Sequence, residues 1–158
     1  MTPAFEKVRG YLANRTDLEK GAGATEDELV SLAKVWGLLP EDFVAYLREF
    51  GWVRFGAQEL LGLGKDVEPH QNILKQAGRL WKPRGAYKLS LDLLPFYDSG
   101  GGWFYCLSKL DASKHVVCWA YEYEKRGEPQ PYDETYPSWS EWFLAHITTV
   151  ETLPSPET

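Results

Sequence analysis

The chain predicts an α+β fold: helices first, then a mostly antiparallel sheet interrupted by one helix, then a terminal helix. Three observations carry this reading. Leu89, Leu91 and Leu93 alternate with Lys88, Ser90 and Asp92, the period-2 pattern of a half-buried strand. Two further runs, 103–107 and 116–123, are short, rich in aromatic and β-branched residues, and bounded by turn residues. The connections between these runs are too short for a parallel return, which needs a crossover of about a dozen residues or more. An antiparallel meander over 87–97, 103–107 and 116–123 is therefore expected as the central sheet.

The elements before it follow from periodicity and caps. Phe5, Val8 and Leu12 stand at helical spacing, with Tyr11 beside them, and predict a helix over 3–14. The polar, glycine-containing stretch 16–23 reads as a loop. Thr25-Glu26-Asp27-Glu28 has the form of a capping box opening a helix with Leu29, Leu32 and Trp36 on its inner face and Gly37 at its stop. Pro40 suits the first position of the next helix, Glu41 and Asp42 suit its positive end, and Phe43, Tyr46, Leu47 and Phe50 form its apolar stripe. Residues 52–55 read as a strand. The region 56–64, punctuated by Gly56, Gly62 and Gly64, reads as irregular strand or turn.

A helix is expected over 69–81, with Ile73, Ala77, Leu80 and Trp81 facing inward, ended by Pro83-Arg84-Gly85. After the meander, 125–137 carries Gly127, Pro129, Pro131 and Pro137 and reads as a loop, long enough to suggest a functional one. Ser138-Trp139-Ser140-Glu141 is a second capping box, followed by Trp142, Phe143 and Ile147 as the inner face of a last helix. Residues 149–158, with Pro154 and Pro156, read as a frayed tail. At 158 residues the chain is expected to form one domain, 1–158.

Charge and composition narrow the function classes. The net charge of −6 is not spread evenly. Residues 1–119 are neutral, whereas 120–158 set Lys125 and Arg126 against Glu122, Glu124, Glu128, Asp133, Glu134, Glu141, Glu151 and Glu157. Nucleic-acid binders carry a basic stripe, so nucleic acid is not expected as a partner and a basic protein is. No apolar run approaches a membrane span, and no basic-then-apolar leader opens the sequence, so no membrane partner and a cytoplasmic location are expected. The two cysteines, Cys106 and Cys118, are too few for a disulfide framework.

The candidate chemistries fail on context. Asp98-Ser99-Gly100-Gly101-Gly102 lacks the Lys-Ser/Thr and the following helix of a phosphate loop; an aromatic strand follows, so a tight strand connection is expected. Gly62-Leu63-Gly64-Lys65 is a weaker match still. His70, His115 and His146 are scattered, no four-ligand spacing exists, and no metal or cofactor is expected. No nucleophile motif is present.

One constellation survives. Tyr121, Glu122, Tyr123, Glu124, Glu128, Tyr132, Asp133, Glu134 and Tyr136 cluster acidic and aromatic residues at the end of the last strand of the meander and in the loop beyond. Tyrosines supply contact area at low entropy cost and carboxylates steer a basic partner. The alternative is a strand edge kept soluble by its charges.

Several motifs in order resemble the SUKH superfamily, which joins a fungal cell-wall-assembly regulator to many bacterial immunity proteins. Thr25-Glu26-Asp27-Glu28-Leu29, then Leu39-Pro40-Glu41-Asp42-Phe43 with Phe50-Gly51, are similar to its opening helices. Leu93-Leu94-Pro95-Phe96, Asp98-Ser99-Gly100-Gly101-Gly102 and Tyr105-Cys106-Leu107 resemble its central strand-turn-strand. Val116-Val117-Cys118-Trp119 and Ser138-Trp139-Ser140-Glu141-Trp142-Phe143-Leu144 resemble the strand and helix that close it. The resemblance spans about residues 24–147. It implies a domain without catalytic residues that binds proteins, its bacterial members neutralising a secreted toxin, often a nuclease, in the cytoplasm. It carries over no site. Trp103 departs from the family's pattern, since a polar or acidic residue commonly follows the glycines, and so becomes a second candidate contact. The expected function is thus immunity against a basic toxin domain; a scaffold or regulator of a housekeeping pathway such as cell-wall assembly is the alternative, and a small hydrolase the third.

Overall fold

The computed structural model describes residues 2–55, 58–83 and 88–148. In chain order it holds α1 (Pro3–Asn14), β1 (Glu19–Lys20), α2 (Glu26–Trp36), α3 (Glu41–Glu49), β2 (Val53–Phe55), β3 (Gln58–Leu60) and a 3₁₀ turn (Pro69–Gln71). Then follow α4 (Ile73–Trp81), β4 (Leu93–Asp98), β5 (Trp103–Ser108), β6 (Val116–Ala120), α5 (Tyr121–Arg126), β7 (Thr135–Tyr136) and α6 (Trp139–Trp142), which continues as a π-helical turn over Phe143–Ile147. The expected α+β class is the observed one. The seven strands form one sheet in sequence order, every neighbouring pair antiparallel.

The helix caps behave as their residue types dictate. Thr25 Oγ1 accepts the Glu28 N–H at 3.2 Å, and Glu28 Oε1 accepts the Thr25 N–H at 2.9 Å, so both halves of the capping box are made. Pro40 stands one residue earlier than expected, at the N-cap of α3. The inner-face residues of α1 to α3 are buried: Phe5, Val8 and Leu12, then Leu29, Leu32 and Trp36, then Phe43, Tyr46 and Leu47. They join Trp139, Trp142, Phe143 and Ile147 of the last helix and Leu94, Phe96, Tyr97, Tyr105, Leu107 and Val116 of the sheet in the main core. A second cluster of Leu80, Leu89, Leu93, Phe104, Cys106, Val117 and Trp119 fills the sheet's other face.

Asp42, read from sequence as a dipole complement, is instead a long-range latch. Its Oδ2 accepts the Ser140 N–H at 3.0 Å and the Ser140 hydroxyl at 2.6 Å, while Oδ1 accepts the Phe43 N–H at 2.8 Å. This ties α3 to the first turn of α6 across 98 residues of chain. The glycines of the weaker loop motif also have a packing role. A Cβ on Gly62 would meet the Gly51 carbonyl oxygen at 1.6 Å, so two stretches of main chain cross where no side chain fits. Gly100 and Gly102 sit at φ 79° and 90° in the β4–β5 connection, the tight turn expected there.

Four expectations are corrected. The strand over 87–97 begins at Leu93. Its alternation is produced by a turn: Leu89 is buried and its N–H bonds the Leu80 carbonyl at 2.8 Å, but Leu91 is 62% exposed, and the Leu93 N–H bonds Ser90 O at 3.0 Å. The strand over 116–123 ends at Ala120, and Tyr121–Arg126 is helical. There the local forces win over the strand-like pattern: Glu122 and Arg126 pair at 3.1 Å one helical turn apart, and Gly127, at φ 69°, caps the helix in the left-handed conformation. The loop expected over 125–137 is shortened at both ends, by α5 and by β7. The loop over 16–23 contains the two-residue strand β1. Gly56, the Arg84-Gly85 stop, Tyr87 and the tail 149–158 lie outside the described residues.

Candidate partner-binding groove

Where β5 begins and β6 ends, at Trp103 opposite Ala120, the sheet opens into a groove of about 240 Å³. Its wall comes from four elements: Trp103, Cys118 and Ala120 from the strands, Glu122 and Tyr123 from α5, and Gln130, Pro131, Asp133 and Glu134 from the segment leading to β7. The strand ladder explains the arrangement. Tyr105 stands opposite Cys118, so Trp103, Tyr105 and Cys118 share one face, while Phe104, Cys106, Val117 and Trp119 share the other. The two thiols are therefore on opposite faces, and both are free.

The segment between α5 and β7 is held by side chains. Gln130 pairs with Ala120 as a neighbouring strand would: its Oε1 accepts the Ala120 N–H at 3.1 Å and its Nε2 donates to the Ala120 carbonyl at 2.7 Å. Glu124 Oε1 accepts the other Gln130 N–H at 3.3 Å and the Trp119 indole N–H at 3.2 Å. Glu134 Oε1 accepts the Tyr105 hydroxyl and, at 3.2 Å, the Tyr136 hydroxyl. Tyr132 is the one non-glycine residue with positive φ among the described residues, at 46°, a strained conformation held by packing of its ring on the second cluster.

These placements divide the expected site residues. Trp103, Glu122, Tyr123, Asp133 and Glu134 meet in the groove. Tyr121 and Tyr132 turn to the second cluster, Glu124 is occupied by Trp119 and Gln130, and Tyr136 lies in β7 opposite Val116. Glu128 is exposed and stands 3.8 Å from Arg126. Trp103, expected as an exposed aromatic, is half-buried, its ring edge-on to Tyr105 at 5.4 Å. Sequence reasoning missed Cys118, Ala120, Gln130 and Pro131. The bracketing of Gln130 by Pro129 and Pro131 was the available signal, since two prolines stiffen the segment that presents it.

The groove's field is negative. The Cys118 thiol is pushed up to about 12, by burial first and then by Glu134 and Asp133. Burial, then Glu134, raises the Tyr105 and Tyr136 phenols. His146, stacked on Trp142 at 5.5 Å, is lowered by burial and pulled the other way by Glu134. Among the described residues no group of three or more His, Cys, Asp or Glu is placed to hold a metal, and no helix is long and apolar enough to cross a membrane.

The SUKH_5 family model, described as SMI1-KNR4 cell-wall, matches residues 5–148. The chain is also similar in fold to a protein from Pseudomonas syringae pv. tomato known from its crystal structure, with a TM-score of 0.63 and 18% sequence identity over 90% of this chain and 95% of that one. A search of curated proteins returns no match.

Proposed function

The chain belongs to the SMI1-KNR4 cell-wall family, SUKH_5, and from that premise we propose that it is a non-catalytic protein-binding domain that neutralises a secreted toxin by occluding it. The observation that carries the reading is the groove at Trp103 and Ala120, where exposed Glu122, Asp133 and Glu134 stand beside two aromatic rings. Exposed carboxylates on one edge of a protein attract a basic partner, and half-buried aromatics give it somewhere to anchor. The toxin partner is accordingly a basic domain, and the cytoplasm is where the two meet. The second reading, a regulator of cell-wall assembly, is favoured by the description of the matched family.

Affinity capture from the native host separates the two. A toxin domain that is captured, and whose activity falls to zero at stoichiometric addition, supports immunity. Capture of wall-assembly factors with no such inhibition replaces it with the regulator. Turnover of a nucleotide or ester by the pure protein, abolished by one substitution, would defeat both.

A further inference from the structure

We propose that the groove is a pocket for a single guanidinium, an arginine side chain of the basic partner, and that the chain's own Arg126 competes for one of its carboxylates. The inference rests on the reading of this surface as partner-binding. A volume of about 240 Å³ accommodates one long side chain rather than a peptide segment. Trp103 supplies an indole wall on which a planar cation stacks, and the carboxylates of Glu122, Asp133 and Glu134 supply the complementary charge. Both phenol bonds to Glu134 fall on Oε1, which leaves Oε2 clear of the two phenols. Gln130 is fixed in place by the Ala120 main chain, so the wall is preorganised.

A contact within α5 shows the same chemistry. Two groove residues already hold a guanidinium: Arg126 lies over the Tyr123 ring at 6.0 Å and donates to Glu122 Oε2 at 3.1 Å. An incoming arginine competes with Arg126 for Glu122. A guanidinium fits better than an ammonium, because its flat face stacks and its forked N–H groups match a carboxylate.

The test is NMR titration of the full chain with N-acetyl-arginine-N-methylamide, read at the Trp103 indole N–H and the Gln130 amide protons. N-acetyl-citrulline-N-methylamide, equal in shape and uncharged, is the control. Saturable shifts confined to groove residues are expected with the arginine probe, with the citrulline probe about tenfold weaker or more. Glu122→Gln with Asp133→Asn should weaken the arginine probe by about tenfold, and Arg126→Gln should strengthen it a few-fold by releasing Glu122. Equal shifts from both probes, shifts that rise without saturating, or an Arg126→Gln variant that binds more weakly would overturn the proposal. The underlying reading fails separately: it falls if the arginine probe binds but the carboxylate variants hold the isolated partner as well as the parent does. If those variants lose the partner while the probe does not bind, the surface stands and the arginine pocket falls.

Discussion

The β5–β6 hairpin has a cleft at each end, and the two differ in where their charges go. Six residues of strand separate them, roughly 17–20 Å. At the Trp103–Ala120 end, Glu122 of α5 and Asp133 and Glu134 of the side-chain-braced segment are exposed. At the Leu107–His115 end, a cleft of about 320 Å³ is lined by Trp36, Leu38, Leu39 and Pro40 together with Lys109 and Ala112. There the cation, although Lys109 is exposed, is engaged within the chain. Lys109 donates to the Trp36 carbonyl at the end of α2 and sits 4.6 Å from the Trp36 ring centroid, so it serves the negative end of a helix dipole. Asp111 is similarly engaged by the Ser113 N–H and hydroxyl, which hold its carboxyl below the usual range. Beside exposed Lys109, Asp111 and Lys114, this end also shows large apolar side chains to solvent: Leu38 is 95% exposed and Leu110 50%. One end carries carboxylates of a single sign; at the other, Lys109 and Lys114 stand against Asp111, and the exposed leucines act on contact.

Both ends rest on the same frame, and breaking it gives the largest effect. Asp42→Ala removes the acceptor for Ser140 and Phe43 and leaves buried donors unpaired, so unfolding free energy should fall by about 3 kcal/mol. Urea denaturation measures it, with Asp111→Ala, at the exposed cleft, as the comparison. Equal losses for the two would show that the latch is not a structural tie.

The contrast between the ends is sharpened by association kinetics. Replacing Glu122, Glu128 and Asp133 with their amides should slow partner association by about tenfold at low salt and flatten its salt dependence. The screening distance of ~8 Å at physiological salt sets the reach of the effect. Lys109→Met, at the other end, should leave the association rate unchanged. Glu124 and Glu134 are excluded from the set because their bonds to Trp119, Gln130, Tyr105 and Tyr136 would be lost with the charge. Stopped-flow fluorescence at two salt concentrations decides the matter.

A smaller effect reads the groove's field without a partner. Glu134 and Asp133 hold the Cys118 thiol up, so neutralising Asp133 should lower it, increase the thiolate fraction and speed alkylation at pH 8. The gain should be only a few-fold, because burial is the larger cause. Cys106, fully buried on the other face, is the internal control in a mass-spectrometric time course. An unchanged Cys118 rate would mean that the carboxylates do not dominate the local potential.

The smallest expected effect is at the Leu107–His115 end. Leu38→Ser should change stability by less than about 0.5 kcal/mol, since the side chain is already in water. It should also leave partner dissociation unchanged in surface-binding measurements. A faster dissociation would move the interface, or part of it, to this end of the hairpin.

By itself the sequence determined the α+β class, the helices carrying Phe5, Leu32, Phe43 and Trp142 inward, the capping box at Thr25, the glycine turn before Trp103 and the acidic charge of the last quarter. These are local properties: periodicity, caps and composition act between residues a few positions apart, and packing only reinforces them. Tertiary structure decided which side each residue of the acidic-aromatic segment takes. Tyr-Glu-Tyr-Glu at 121–124 alternates as a strand would; the local Glu122–Arg126 pair and Gly127 cap favour a helix, and packing against the sheet then sends Tyr121 to the second cluster and Tyr123 to the groove. Gln130 closing on Ala120, Glu134 taking the Tyr105 phenol, and Asp42 reaching Ser140 join residues 10, 29 and 98 positions apart. Bonds of that kind have no sequence period, because each exists only once the sheet and helices have brought its two ends together.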